Sequence, residues 1–257
     1  MLRRKYPQLV LVEDVTHLLL NPELYDTESA DYCIGSIRKW MGVPDGAVVI
    51  SSSGMIHAAM QTEETKFTRL RAQAQHLKAD YLDLGDPELK TRFRGMLSEA
   101  ENSLEDGRHP HEMTALSREF LSHVDLSRMS YRRSVNYHCL YSLLRNMTEC
   151  GQYFLLLPEV PEEIAPFTLP VILNPDRLPE GQSRDAFERC LAARGVYAPV
   201  LWPIDDRARS ACAVSAEIAD QMLAFWIDQR YDRFDMEHVA EVFHEELLGA
   251  GTGGAES

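Results

Sequence analysis

Three short apolar runs, each bounded by turn residues, constrain most strongly what the start of this chain folds into. They are QLVLVED at 8–14, ADYCIGS at 30–36 and GAVVISS at 46–52. A continuous apolar run of about four to eight residues between turn signals is typical of a buried strand. Short strands separated by longer segments are typical of an α/β sheet. The sequence therefore predicts a small sheet in its first part.

The next part of the chain, at 58–150, has the composition of a helical connector. It has few Gly and Pro residues, and apolar residues recur at helical spacing, as at Phe67, Leu70 and Ala74. The stretch SLEDGRHPHEMT at 103–114 interrupts this pattern with turn-forming residues. We therefore expect helices on both sides of that interruption.

The last part of the chain combines strand and helix patterns. FLLL and TLPVILN are apolar strand candidates, SRDAFERCLAARG is an amphipathic helix closed by Gly195, and VYAPVLWPI at 196–204 predicts a further strand. DMEHVAEVFHEELLG predicts a final helix with Asp235 as its N-cap. The sequence thus predicts an α+β domain at 151–248, followed by a flexible tail at 249–257.

Charge and hydropathy exclude some classes of partner. The formal net charge is −14 and the isoelectric point is near 5.1. Such a chain does not favour non-specific binding to nucleic acid or to anionic membranes, because those surfaces need clustered Lys and Arg. The sequence has no apolar run long enough to span a membrane and no secretory leader pattern at its start. We expect a cytoplasmic protein.

The cysteines and histidines do not indicate a metal site. The cysteines are odd in number, far apart and never in a CxxC pair, which favours reduced thiols over disulfides or a zinc site. His109 and His111 form one HxH pair, but no Cys or carboxylate lies at ligand spacing. We therefore expect no bound metal.

Asp14 ends the first predicted strand, and Lys39 comes three residues after the end of the second. An aspartate at the end of a buried strand needs a partner, because an unpaired buried carboxylate is costly. A protonated pyridine nitrogen is one such partner, and a helix N-cap or a salt bridge is the ordinary alternative. Lys39 precedes Gly and Pro-Asp-Gly turns, a setting in which a lysine amine can attack a carbonyl. Of the five lysines, Lys39 alone has this setting.

Four stretches together resemble aminotransferases of fold type I that depend on pyridoxal 5′-phosphate (PLP), particularly the DegT/StrS sugar-aminotransferase group. They are EDVTH at 13–17, SIRKWMGVPDG at 36–46, RGVYAPVLWPI at 194–204 and FWIDQRY at 225–231. The resemblance implies an α/β fold with an incomplete mixed sheet. In that fold, residues 1–57 are the remainder of the PLP-binding large domain, and the helical connector and the small domain follow.

The resemblance also implies a cofactor and site residues. PLP would be the cofactor, with Lys39 as the catalytic lysine that bonds to its aldehyde. Asp14 would pair with the ring nitrogen and Ser36 would bind the phosphate. His17 would lie beside the ring hydroxyl, where the sugar aminotransferases usually have glutamine. The implied reaction transfers an amino group from a small-molecule donor, glutamate-like, to a keto-sugar acceptor, and the implied assembly is a homodimer.

Three residues of the small domain are candidates for substrate contact. Trp202, Arg230 and Tyr231 can reach a cleft between domains, where ligands usually bind, and Arg230 would grip a carboxylate. In the alternative interpretation, Trp202 and Tyr231 are core aromatic residues and Arg230 is solvated or paired with an acidic side chain. The core interpretation is the stronger one for Trp202.

The resemblance covers nearly all of this chain but only the C-terminal part of a typical aminotransferase. The part it leaves out supplies a phosphate-binding turn and an aromatic ring that stacks on the cofactor. We therefore expect a partial chain whose sheet exposes apolar surface and whose cofactor retention and turnover depend on the rest of the fold. A non-catalytic remnant or partner-dependent module is the alternative function. A PLP lyase or desulfurase is a further alternative.

Overall fold

The structure of this protein is a computed structural model that describes residues 2–56, 59–62, 64–106, 110–179 and 182–249. The chain divides into two units, Met1–Asp125 (the first unit) and Leu126–Ser257 (the second unit). This division falls inside the predicted helical connector at 58–150, so the connector's helices are shared between the two units. The predicted tail at 249–257 lies outside the described residues except for Gly249.

The first unit contains a sheet formed by the three predicted apolar runs. After a single turn of helix, α1 (Leu2–Lys5), the strands are β1 (Val12–Asp14), β2 (Tyr32–Ser36) and β3 (Ala47–Ser51). The strand order is β1-β2-β3, with β1 parallel to β2 and β3 antiparallel to it. The predictions of three strands and of a mixed, incomplete sheet are confirmed.

The two faces of this sheet differ in burial. Asp14 pairs with Ile34 and Ile34 pairs with Val49, so these three side chains share one face, and all three are exposed. Cys33 points to the opposite face and is buried against Val15. The prediction of exposed apolar surface on this sheet is therefore confirmed, and that surface adjoins the Asp14 carboxylate.

The helices of the first unit begin and end at capping residues. They are α2 (Lys66–Leu84), α3 (Pro87–Asn102) and α4 (Ala115–Ser122). Gly85 ends α2 with φ of +71°, a left-handed conformation that glycine adopts without a Cβ clash. Asp86 then caps α3, since its Oδ1 accepts the N–H of Glu88 at 2.9 Å. The helices confirm the predicted helical stretch, with its interruption before α4.

The second unit contains five helices and three strands among its described residues. The strands form an antiparallel sheet in the order β4-β5-β6. In chain order the elements are α5 (Leu126–Arg145), β4 (Phe154–Leu156), β5 (Thr168–Leu173), α6 (Arg184–Ala193), α7 (Asp206–Ala211), α8 (Ala213–Gln221), β6 (Met222–Trp226) and α9 (Arg233–Leu247). The predicted α+β character of this part is confirmed.

The core of the second unit lies between one face of its sheet and the apolar sides of α5, α6 and α9. On β5, Leu169, Val171 and Leu173 are buried while the residues between them are partly exposed, as the two-residue period of a strand requires. Phe243 of α9 is fully buried and contacts the rings of three other core phenylalanines. This packing stabilises the unit chiefly by removing apolar surface from water.

Two local predictions in this unit are wrong. The stretch VYAPVLWPI at 196–204 is not a strand, and the strand that pairs with β5 is β6. Pro199 and Pro203 lack an N–H for a strand ladder, and the stretch contacts β6 through one backbone hydrogen bond, from Ala224 N to Pro199 O at 3.1 Å. An apolar run with prolines therefore does not have to form a strand.

The second error concerns the start of α9. Asp232 is the N-cap, because its side chain accepts the N–H groups of Phe234 and Asp235 at 2.8 and 3.3 Å. Asp235 is the third helical residue, and its carboxylate accepts the Asp232 N–H at 2.9 Å. The two aspartates form a capping box, so either of them resembles an N-cap in the sequence.

Within the described ranges, no helix combines the length and the apolar composition that crossing a membrane requires.

Candidate active site

Asp14 lies at the carboxyl end of β1 with its side chain exposed. Its Oδ1 accepts the N–H of Thr16 at 2.9 Å. Hydrogen bonds from the Thr16 hydroxyl and then from the Thr16 N–H lower the pKa of Asp14, and the charge of His17 lowers it further. The carboxylate therefore stays ionised at neutral pH. Asp14 is not the cap of the short 3₁₀ helix Thr16–Leu18, because the residue at its N-cap position is Val15 and no side chain caps it.

His17 interacts electrostatically with both Asp14 and Lys39. It is half-buried in the 3₁₀ helix that follows β1. Burial is the largest cause that lowers the pKa of His17, the negative charge of Asp14 opposes this effect, and the positive charge of Lys39 adds to it. Because charge interactions weaken with distance, His17 lies near both Asp14 and Lys39. The structure thus brings together three of the residues that the sequence predicts for one site.

Lys39 and Ser36 lie on the turn that follows β2. Ser36 is the last residue of β2 and is half-buried, and the 3₁₀ helix Ile37–Lys39 begins directly after it. Lys39 ends this helix with an exposed side chain, and the next residue, Trp40, is buried. Since β1 and β2 are parallel, their carboxyl ends meet at one edge of the sheet, which is where α/β sheets usually bind ligands.

The turn that carries Lys39 is fixed by contacts that the sequence analysis missed. Arg38 Nη1 and Arg71 Nη1 bind Glu101 Oε1 at 2.7 and 2.8 Å, which attaches the turn to α2 and α3. Both guanidinium groups lie 5.4 Å from the centre of the Phe67 ring. Arg38 and Glu101 are 63 positions apart, so local sequence patterns carry no sign of this contact.

The Pro-Asp-Gly turn after Lys39 is also held in place. Asp45 accepts hydrogen bonds from the N–H and the hydroxyl of Thr114 at 2.9 and 2.8 Å, and from the hydroxyl of Ser117. Gly46 has φ of +122°, in the region that favours glycine. The chain on both sides of Lys39 is therefore attached to helices of the first unit.

Arg230 lies in the second unit and already has a carboxylate partner. Its N–H and Nε donate to Asp228 Oδ1 at 2.9 and 3.0 Å, and its Nη2 binds Asp228 Oδ2. The Arg230 side chain is nevertheless 63% exposed, whereas Asp228 is buried. A substrate carboxylate at Arg230 would have to share the guanidinium with Asp228.

The two aromatic candidates of the second unit differ in exposure. Trp202 is 62% exposed, so the interpretation of Trp202 as a core aromatic residue is wrong. Tyr231 is half-buried, and it packs against the core of the unit. Trp202 follows a stretch that contains Pro199 and forms no strand, which leaves its ring outside the sheet packing.

Arg133 is a buried charge that the sequence analysis missed. Its Nε donates to Gln229 Oε1 at 2.9 Å, and its Nη1 donates to Pro166 O and Phe167 O at 3.3 and 3.1 Å. Burial lowers the pKa of Arg133 to about 10, and the charge of Asp228 partly offsets this effect. Arg133 lies on α5, where a charged residue in the sequence usually indicates the exposed side of the helix. The sequence pattern therefore did not predict that Arg133 is buried.

Replacing Asp228 by asparagine is expected to destabilise the second unit by about 1.5–3 kcal/mol, because its buried side chain would lose the charge that strengthens its hydrogen bonds with Arg230 and that attracts the buried Arg133. Burial alone would raise the pKa of Asp228, but the hydrogen bonds and charge of Arg230, with the charge of Arg133, lower it overall. The stabilisation is therefore present above the ordinary carboxyl pKa and is lost as pH falls through the lowered value. Urea unfolding at several pH values measures both effects.

Asp220→Asn is the matched control, because Asp220 pairs with Arg209 at 2.7 Å on the surface. Water and salt screen such a pair, so we expect little change in stability. Equal losses of stability in the two variants would contradict the role assigned to Asp228.

The described residues contain no group of three or more His, Cys, Asp or Glu side chains that is arranged to hold a metal ion. His109 lies outside the described residues, and the thiols of Cys33, Cys139, Cys150, Cys190 and Cys212 are all free.

No family model matches the sequence, and no curated protein matches it either. Solved structures do resemble it in fold. The aminotransferase TlmJ from Streptoalloteichus hindustanus is 15% identical with a TM-score of 0.55, over 97% of this chain and 61% of that chain. NtdA from Bacillus subtilis, solved with bound cofactor PMP, is 15% identical with a TM-score of 0.56, over 96% and 52% of the two chains.

A DegT DnrJ EryC1 StrS aminotransferase from Brucella abortus is also similar, with 13% identity and a TM-score of 0.51, over 98% of this chain and 59% of that chain. At such identities the likeness shows the fold alone. The fold is that of PLP-dependent aminotransferases of the DegT/DnrJ/EryC1/StrS type, which confirms the predicted fold class and resemblance. The chain spans 52–61% of the length of these three proteins.

Proposed function

We propose that the first unit forms part of the active site of a PLP-dependent aminotransferase. The observation that carries this proposal is the grouping of Asp14, His17 and Lys39 at the carboxyl ends of two parallel strands. A carboxylate, an imidazole and a primary amine at this edge supply the groups that the cofactor's ring and aldehyde require. The fold that surrounds them is shared with solved aminotransferases.

The side chains fit PLP by their chemistry. Asp14 is held ionised by Thr16, so its carboxylate can pair with a protonated ring nitrogen. Lys39 presents an exposed amine that can bond to the aldehyde, Ser36 offers a hydroxyl to the phosphate, and His17 can contact the ring hydroxyl. When bound, PLP supplies an electron sink for the carbon atom that loses a proton.

The proposed reaction moves an amino group from a small-molecule donor to a keto acceptor. Lys39 would act as a general base that takes the proton from the donor's α-carbon and delivers it to the cofactor's C4′ carbon, and in the second half of the reaction it would carry a proton in the reverse direction, to the acceptor's carbon. The donor leaves as a keto acid, and the acceptor leaves as an amine. A glutamate-like donor and a keto-sugar acceptor follow from the resemblance, and Arg230 would bind the donor's carboxylate.

The proposal extends to assembly and location. We propose a homodimer, as the resemblance implies, and a cytoplasmic protein, which the five free thiols support. Sedimentation at several protein concentrations measures directly whether the protein is a dimer.

A partner-dependent module without independent activity is the second candidate. The exposed apolar side chains of Val12, Ile34 and Val49 favour this alternative, because they lie on the same face of the sheet as Asp14. Exposed apolar surface of this kind often marks a site that another protein segment covers. The chain also spans only 52–61% of its structural neighbours. In this alternative the site residues act only when the rest of the fold covers that face.

Reductive trapping tests the proposed function. The chain is incubated with PLP, reduced with borohydride and digested, and mass spectrometry locates the pyridoxyl group. We expect modification at Lys39 well above that at Lys5, Lys66, Lys78 and Lys90, because Asp14 and His17 lie near Lys39. Modification spread evenly over the five lysines would refute a PLP site at Lys39.

A further inference from the structure

Thr16 lies between the ends of β1 and β2 and contacts residues on both sides. Its N–H donates to Asp14 Oδ1 at 2.9 Å, and its Oγ1 accepts the N–H of Ser36 at 3.1 Å. Its carbonyl oxygen accepts the indole Nε1–H of Trp40, the residue that follows Lys39. One residue thus contacts the carboxylate, the serine and the turn of the candidate site.

The Thr16 hydroxyl accepts a hydrogen bond just beyond the last regular hydrogen bond between β1 and β2. The last regular bond between β1 and β2 runs from Val15 N to Ile34 O at 2.7 Å. In a parallel ladder the next donor from β2 is Ser36 N, and its regular acceptor would be the carbonyl of Val15, the residue after β1. The Thr16 side chain accepts this N–H instead. The separation between the two strand ends therefore depends on a side chain.

The same hydroxyl also acts on Asp14, because a side-chain hydrogen bond from Thr16 is among the causes that lower the Asp14 pKa. A hydroxyl has one donor and two acceptor positions, so it can serve Asp14 and Ser36 together. Its hydrogen bond is the largest of the effects that lower the pKa of Asp14. Threonine is also branched at Cβ, which restricts its χ1 angle and favours a fixed hydroxyl position.

We propose that Thr16 is a positioning residue, which fixes the Asp14 carboxylate relative to the turn that carries Ser36 and Lys39. Its contacts stand independently of any reaction, and its consequence for cofactor binding rests on the proposed function. Without the hydroxyl, Asp14 loses a donor and Ser36 N–H loses its acceptor, while the backbone contact to Trp40 is retained. The geometry between the carboxylate and the amine then becomes looser.

The first test titrates Asp14 in the cofactor-free protein by carbon-13 NMR of its carboxyl group. Thr16→Val removes the hydroxyl at nearly constant volume, Thr16→Ser keeps it, and Thr27→Val changes an exposed threonine elsewhere in the first unit. We expect the pKa of Asp14 to rise in Thr16→Val alone. His17 and Lys39, the charged groups that face this site, are retained in every variant.

An unchanged Asp14 titration in Thr16→Val would overturn the proposal. If Thr16→Val does not fold, Thr16→Ala removes the same hydroxyl without adding an apolar group in its place. Hydrogen exchange of the Ser36 amide is a second measurement. A residue that only stabilises the fold in general would change exchange at many amides, and not chiefly at Ser36. We expect about two- to tenfold faster exchange in the variant without the hydroxyl, and wild-type exchange in Thr16→Ser.

The second test follows borohydride trapping of PLP at Lys39 over time. We expect trapping about tenfold slower in Thr16→Val and near the wild-type rate in Thr16→Ser. Equal trapping rates in these two variants would overturn the positioning role. If wild-type Lys39 is not trapped at all, the proposed function fails, whereas the Asp14 titration still decides the role of Thr16.

Discussion

Replacing Phe243 by alanine is expected to destabilise the second unit by about 3–5 kcal/mol, the cost typical of removing a fully buried phenylalanine. The Phe243 ring is at the centre of an aromatic cluster, 5.0 Å from Phe154, 5.2 Å from Phe225 and 5.9 Å from Phe187 between ring centroids. The three contacts come from β4, β6 and α6, so a cavity at this position weakens the packing of all three against α9. Urea unfolding followed by circular dichroism measures the loss.

Phe234→Ala is the matched control, because Phe234 lies on the same helix and is 76% exposed. We expect a change within about 0.5 kcal/mol, as for most surface positions. If the two variants lose equal stability, Phe243 is not the centre of this core.

Replacing Lys39 by alanine is expected to slow strongly the proton exchange that the proposed function requires. A general base typically contributes about 10²- to 10⁴-fold to a rate, so the exchange of the donor's α-proton should fall by that factor. The measurement is proton NMR of a glutamate-like donor in deuterated water with the protein and PLP. This experiment needs no keto acceptor, so it isolates the step assigned to Lys39.

The control for this prediction is Lys66→Ala. Lys66 is exposed on α2 and pairs with Glu99 at 2.8 Å, and it is not among the residues proposed for the site. Its replacement removes the same charge and side chain but retains Asp14, His17, Ser36 and Lys39. Exchange that persists in Lys39→Ala, or that falls equally in both variants, would show that Lys39 is not the base.

The fold was predictable from the sequence where periodicity and caps agree. The runs at 8–14, 30–36 and 46–52 became β1, β2 and β3 because each combines apolar residues with adjacent turn signals. Where two signals compete, the sequence is not sufficient. VYAPVLWPI at 196–204 has the apolar content of a strand, but its prolines cannot donate to a ladder, and β6 pairs with β5 instead.

The candidate site was predictable only in part. Asp14 and Lys39 are recognisable because Asp14 ends one apolar strand and Lys39 comes shortly after another, and such positions converge at one edge of a parallel sheet. The residues that hold them are not recognisable. Glu101 binds the lysine turn from a distant helix, and Arg133 donates hydrogen bonds to residues far along the chain. Such contacts depend on tertiary packing, which leaves no local pattern.

The shared contact of Arg38 and Arg71 with Glu101 has a consequence for the order in which the first unit folds. The contacts between α2 and α3 are local in sequence, so this hairpin can form early in folding. The lysine turn after β2 can attach to the hairpin only once both have formed. Closing the 63-residue separation between Arg38 and Glu101 costs chain entropy that local contacts do not. We therefore expect the lysine turn to become ordered late, after the hairpin has docked. The residues that we propose for catalysis would then be among the last in this unit to reach their native positions.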